Sequence, residues 1–108
     1  MVDTRQLAIK TGVVNRLVKE VKAYKQEALA QQKKVEQMEI NKEDEYEVKQ
    51  QRRVHQDSLQ MIPDSEKRLQ KALAELEEAV EDAEDSLKDA PELAAARDSL
   101  KLAQEGIQ

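Results

Sequence analysis

The chain has 108 residues and a net charge of −5, enough for one small domain and too few for two ordinary ones. Charged residues make up 38% and aromatic residues 2%, and two glycines and two prolines are too few for the turns of a β-sheet. Without cysteine, and with no apolar run longer than four residues, we expect no disulfide, no thiolate metal site, no membrane span and no signal peptide.

Charge is distributed unevenly along the chain. Residues 1–38 carry a net charge of +4, residues 39–63 carry −2, and residues 64–108 carry −7. Phosphate binding needs a basic surface, so the acidic second half makes nucleic acid an unfavourable partner. The opposite charges of the two ends favour helices that fold back on one another.

The first predicted element is a helix over about residues 4–39. Asp3 and Gln6 have the spacing of a capping box, which predicts a helix start near residue 4. Apolar residues then recur every seven positions, which is typical of a coiled-coil seam. One series is Leu7, Val14, Val21, Ala28 and Val35, and Leu17, Tyr24 and Met38 follow three positions after its members.

The second predicted element is a helix over about residues 45–87, which begins after Asp44 and contains Pro63. A seven-residue repeat runs through the proline without a change of register, which predicts one helix kinked near residues 59–63 rather than two helices. The predicted seam has one series of Val48, His55, Ile62, Leu69, Leu76 and Ala83, and a second series of Arg52, Leu59, Glu66, Leu73, Val80 and Leu87.

The third predicted element is a helix over about residues 90–106, with Asp89 as its cap and Pro91 in its first turn. Because the two turns are short, consecutive helices should be antiparallel neighbours. The prediction is an all-α fold, an antiparallel three-helix bundle with the form of a coiled-coil rod, in which residues 1–108 make a single domain. The third helix is too short to cover the second, so residues near 24–35 and 48–58 should form a two-helix hairpin.

No group of residues has the arrangement of a catalytic, cofactor or metal site. His55 is the only histidine and lies on the predicted seam, where it has no cysteine or second histidine with which to bind a transition metal. The acidic stretch over residues 75–92 lacks the spacing and central glycine of a calcium loop, and favours a solvated helix face over a partner-binding strip. We therefore expect no enzyme and no bound cofactor or metal.

Two surface features leave alternatives open. The basic side chains of the first helix are interrupted by acidic ones and have no exposed aromatic neighbours, which favours a solvated face over a membrane or nucleic-acid strip. Pro63, in the segment Met61–Asp64, is costly in the middle of a helix. Its bend either lets the helix follow its neighbours or shapes an outer surface for a partner, and the two interpretations are compatible.

Two sequence blocks resemble the tubulin-binding cofactor A family. They are Thr11–Glu20, with the sequence TGVVNRLVKE, and Met61–Asp64, with the sequence MIPD, followed by Arg68 and Leu69. The resemblance implies a non-enzymatic chaperone, cytoplasmic and cytoskeleton-associated. Such a chaperone binds β-tubulin released from the chaperonin and exchanges it with other tubulin-folding cofactors during assembly of the αβ heterodimer.

Within the two blocks and just after them, we predict the residues that contact the partner. They are Arg16, Lys19, Glu20, Met61, Pro63, Asp64 and Arg68. The alternative function is a structural coiled-coil module for oligomerisation or scaffolding. The sequence is compatible with a monomer and with a weak homodimer.

Overall fold

The computed structural model describes residues 2–107, which form three α-helices joined by short turns. They are α1 (Thr4–Ile40), α2 (Glu45–Ala83) and α3 (Pro91–Ile107). No strand occurs among the described residues, so the predicted all-α fold is confirmed. α2 continues through Pro63 as one helix, as the unbroken heptad register predicts.

The predicted capping box opens α1. The Asp3 backbone N–H donates to Oε1 of Gln6 at 3.1 Å, and the Gln6 backbone N–H donates to Oδ1 of Asp3 at 2.8 Å. These two bonds satisfy backbone donors that the first helical turn leaves without a partner.

A Schellman motif closes α1. The Glu43 N–H donates to the Met38 carbonyl oxygen and the Lys42 N–H to the Glu39 carbonyl oxygen, both at 3.1 Å. Lys42 has a φ of 55°, the left-handed conformation that this motif requires and that glycine usually supplies. The chain therefore reverses direction within four residues and enters α2 at Glu45.

α2 ends at Ala83, four residues earlier than the heptad pattern suggests. After this point the Glu84 N–H bonds to the carbonyl oxygen of Glu81, three residues back. Glu81, Asp82, Glu84 and Asp85 concentrate negative charge at the helix carboxyl end, where the helix dipole is also negative. This repulsion accounts for the early end of the helix.

The described residues fall into two compact units. Unit 1 contains the chain up to Lys19 and from Lys67 onward, so it holds one end of α1, one end of α2 and α3. Gln104 Nε2 donates to Glu77 Oε1 at 2.9 Å, and Arg97 lies 3.7 Å from Glu84, which shows that α3 runs antiparallel to α2. The apolar core of unit 1 consists of Leu7, Val14, Leu17, Leu69, Ala72, Leu73, Leu76, Ala79, Val80, Ala83, Leu93, Ala96 and Ala103.

Unit 2 is Glu20–Glu66, a hairpin made of two helical segments. The two-helix hairpin predicted for this region is thus confirmed. Its seam is partly polar, because Gln51 Nε2 donates to Gln31 Oε1 between the two helices. Near the turn, Arg52 forms an ion pair with Glu39 at 2.6 Å.

The second predicted seam series of α2 is wrong within unit 2. Leu59 is 44% exposed, Arg52 is exposed and Glu66 is half-buried. The buried residues are instead Gln51 and Ser65, one position before Arg52 and Glu66. A helix with one neighbour buries a narrow stripe, and a helix with two neighbours buries a wider one. The series is buried only in unit 1, at Leu73 and Val80, where α3 supplies the second neighbour.

One seam position of α2 holds a buried hydroxyl group without a hydrogen bond. Ser65 is 0% exposed, and its Oγ has no hydrogen-bond partner in the part of the chain that the structure describes. Burial of an unpaired hydroxyl is unfavourable, and alanine is also the better helix former. We therefore expect Ser65→Ala to raise the free energy of unfolding by about 1 kcal/mol, measured by urea denaturation.

Ser58→Ala is the matched control, seven residues earlier in the same helix. Ser58 is half-buried, and its hydroxyl donates to the Val54 carbonyl oxygen at 3.1 Å. Its substitution removes a hydrogen bond, so a smaller gain is expected. Equal gains at the two serines would contradict the penalty assigned to Ser65.

Candidate protein-interaction surface

The predicted partner-contacting residues are distributed over both units. Arg16 and Lys19 lie one turn apart on α1 in unit 1, and Arg68 lies on α2 in the same unit. All three side chains are exposed. They are therefore accessible to another protein from the outer faces of their helices.

The remaining predicted contacts belong to unit 2. Met61 is 45% exposed, and Pro63 and Asp64 are also exposed, whereas Glu20 on α1 is half-buried. Ile62 is half-buried on the seam side of α2. The Met-Ile-Pro-Asp block thus directs one side chain toward the seam and three toward solvent.

Unit 2 also has an apolar hollow between its two helices, which we call the hairpin groove. Its volume is about 330 Å³. Leu29 is 51% exposed and Leu59 is 44% exposed at its edge. The groove is lined by Lys25, Ala28, Leu29, Gln32, His55, Leu59 and Ile62.

The heptad pattern does not reveal the hairpin groove, because it puts Leu59 on the buried side of α2. The signal that locates it is the exposure of Leu29 and Leu59, which both fall outside the narrow seam of a two-helix hairpin. His55 is half-buried in this groove, between the seam and solvent. The histidine therefore borders an apolar hollow rather than a cluster of metal ligands.

The acidic side chains of α2 in unit 1, from Glu75 to Asp82, lie on exposed helix surface. Glu75, Glu78 and Asp82 line a shallow hollow of unit 1 together with Lys10. No group of three or more histidine, aspartate or glutamate side chains within residues 2–107 is arranged to hold a metal ion. Among the same residues, no helix combines the length and the apolar character that crossing a bilayer requires.

These features define a class: an all-α coiled-coil protein whose candidate binding sites are the outer faces of its helices and the hairpin groove. The family model "Tubulin binding cofactor A" matches residues 3–100. The chain therefore belongs to the tubulin binding cofactor A family, and the resemblance seen in the two sequence blocks is confirmed.

Individual relatives agree with the family match. The chain is 46% identical over 72 residues to human "Tubulin-specific chaperone A", which is 67% of each chain. It is 42% identical over 76 residues to "Tubulin-folding cofactor A" of Arabidopsis thaliana, which is 70% of this chain and 67% of the relative.

Two solved structures share the fold. The crystal structure of tubulin folding cofactor A from Arabidopsis thaliana is similar with a TM-score of 0.89 and 35% identity, covering 94% of this chain and 95% of that one. The human tubulin chaperone cofactor A gives a TM-score of 0.81 and 40% identity, covering 94% and 97%. At these identities, the likeness extends to sequence as well as to fold.

Proposed function

We propose that this chain is a cytoplasmic, cytoskeleton-associated chaperone that binds β-tubulin after its release from the chaperonin. It holds the folding intermediate and passes it to other tubulin-folding cofactors on the way to the αβ heterodimer. The observation that carries the proposal is the family match over residues 3–100. The names of the relatives describe tubulin chaperones and folding cofactors, and we extend that role to this chain.

The proposed activity is binding without catalysis. The seam side chains hold the helices together, so the partner contacts the outer faces instead. We propose six exposed contacts and the half-buried Glu20; the exposed ones are Arg16, Lys19, Met61, Pro63, Asp64 and Arg68. Charged side chains around exposed apolar ones are typical of a protein interface.

A coiled-coil module for oligomerisation or scaffolding is the second candidate. The exposed leucines of the hairpin groove favour it, because a second helical chain could cover them. Sedimentation equilibrium separates the two roles. The chaperone role predicts a monomer or a weak homodimer, whereas a scaffold module forms a stable oligomer by itself.

The proposed function is tested by capture of β-tubulin on a native gel. We expect the purified chain to shift newly released β-tubulin. Exposed ion pairs contribute about 0.2–1 kcal/mol each, so reversing two charges with Arg16→Glu and Lys19→Glu should weaken capture by about tenfold.

The matched control reverses two exposed bases outside the predicted contacts, with Lys88→Glu and Lys101→Glu. It makes the same change in net charge, and capture should stay within about twofold of the parent chain. Failure of the parent chain to bind β-tubulin would overturn the proposed function. Equal losses in both double variants would overturn the contact assignment at Arg16 and Lys19.

A further inference from the structure

The hairpin groove leaves large apolar side chains of unit 2 exposed to solvent. Leu29 and Leu59 are large side chains that stay about half exposed on facing helices, and Ile62 beside them is only half-buried. Exposed leucines are common singly, but leucines that converge on one hollow mark a site that another apolar surface can cover.

The two helical segments that contain the residues of the hairpin groove are basic, in a chain that is acidic as a whole, and we call them the basic band. The band consists of residues 21–35 of α1 and 48–63 of α2; its net formal charge is +5, with Arg52 paired to Glu39 just outside it. Lys25 lines the groove itself. The basic residues of this band are Lys22, Lys25, Lys33, Lys34, Lys49, Arg52 and Arg53, and its acidic residues are Glu27 and Asp57.

We propose that the hairpin groove docks an amphipathic helix of tubulin that carries acidic side chains along the edge of its apolar face. The inference rests on the proposed function, since it takes tubulin as the partner. A helix laid in a groove presents apolar residues at spacings of three, four and seven, and these would cover Leu29 and Leu59. Its acidic side chains would face Lys25 and the surrounding basic band.

Charge argues against the other occupants. Two copies of this chain that paired symmetrically through the groove would bring two bands of net charge +5 together, which is repulsive. Nucleic acid phosphates would satisfy the basic band but would leave the two leucines uncovered. A partner helix with both apolar and acidic side chains would cover the two leucines and also pair with the basic band.

The groove can be tested directly with the full chain and a designed probe. The probe is a fluorescent 14-residue helical peptide with leucines on one face and glutamates along both edges. The comparison peptide has lysine in place of every glutamate. By fluorescence anisotropy we expect the glutamate peptide to bind at least about tenfold more tightly, with a difference that shrinks as salt rises.

The variant for this test combines Leu29→Gln with Leu59→Gln, because glutamine is nearly as good a helix former as leucine. It should lose at least about tenfold in affinity for the glutamate peptide. The matched control combines Ile9→Gln with Leu102→Gln, which are 56% and 66% exposed and lie in unit 1. It should bind like the parent chain, and circular dichroism should show the same helical content in all three proteins.

The same variants in the β-tubulin capture assay separate the two proposals. Loss of capture in the Leu29/Leu59 variant alone would support docking in the groove. Undiminished capture by that variant would overturn the groove while leaving the proposed function intact. If the parent chain fails to capture β-tubulin, the proposed function fails and the assignment of the groove to tubulin fails with it, even where the peptide binds. Self-association of the parent chain that the Leu29/Leu59 variant abolishes would overturn the inference in favour of a second copy.

Discussion

Leu76→Ala is expected to lower the free energy of unfolding by about 2–5 kcal/mol, the usual cost of emptying a closely packed leucine site. Leu76 is 0% exposed and lies in unit 1, where three helical segments supply its surroundings. Leu73, at 7% exposure, should behave in the same way. Urea denaturation of each variant measures the effect through the shift in midpoint at constant slope.

Leu29→Ala is the comparison that makes this prediction specific. Leu29 is 51% exposed in unit 2, so the same chemical change should alter the free energy of unfolding by no more than about 0.5 kcal/mol. The difference between the sites depends only on burial, since both are leucines within helices. Similar midpoint shifts for Leu76→Ala and Leu29→Ala would show that the seam has been assigned incorrectly.

Pro63→Ala is expected to keep or raise the stability of the chain while weakening its binding to the partner. Proline within a helix lacks the N–H that would bond to the Leu59 carbonyl oxygen, and alanine supplies it. Pro63 is exposed, so its ring contributes little to the core. The substitution should therefore keep or raise the melting temperature, with a gain in the free energy of unfolding of up to about 3 kcal/mol.

The same substitution should weaken capture of β-tubulin by about tenfold, which corresponds to 1.4 kcal/mol of binding free energy. The heptad register continues through Pro63, so packing alone does not need the proline, and its presence indicates another requirement. A melting curve and a capture assay on one variant measure both quantities. Gln60→Ala, three residues earlier on exposed helix surface, is the control for adding alanine to α2.

Two results would distinguish the alternatives for the proline. A well-folded Pro63→Ala protein with undiminished capture would mean that the proline does not contribute to partner binding. In that case Arg16, Lys19 and Asp64 become the next residues to substitute. Loss of capture with retained stability would support a proline that shapes the binding surface.

The helices were predictable because their signals are local. The capping box at Asp3 and Gln6 fixes the start of α1, and the seven-residue repeat fixes which face is buried. The end of α2 was less predictable, since the apolar pattern continues to Leu87 while the accumulated acidic charge stops the helix at Ala83. The apolar repeat predicts which face of a helix is buried, but it does not predict the effect of charge repulsion at the end of the helix.

The width of the buried stripe on a helix depends on how many helices pack against it, which the local sequence does not show. Leu59 and Leu73 occupy equivalent heptad positions, yet Leu59 is 44% exposed and Leu73 is 7% exposed. The difference depends on whether a third helix packs against that part of α2. The length and position of α3 decide which part of α2 has this third neighbour. This dependence explains why the second seam series fails in unit 2 and why the hairpin groove was not predicted.

Interaction surfaces are harder to predict than cores because exposed residues leave no periodic pattern. The blocks at residues 11–20 and 61–64 indicate the family, but they mix buried positions such as Val14 with exposed ones such as Arg16. Resemblance to the family alone therefore does not distinguish the buried residues that stabilise the fold from the exposed residues that can contact a partner. The structure separates them by burial.

The glutamine pair across the hairpin seam has a consequence for the dynamics of the chain. Gln31 and Gln51 occupy positions that leucine or valine would fill in a stronger coiled coil. The free energy of local opening depends on the apolar area that opening exposes, so it is lower in unit 2 than in the leucine-rich unit 1. The backbone of unit 2 can thus adjust at a smaller energetic cost than the backbone of unit 1.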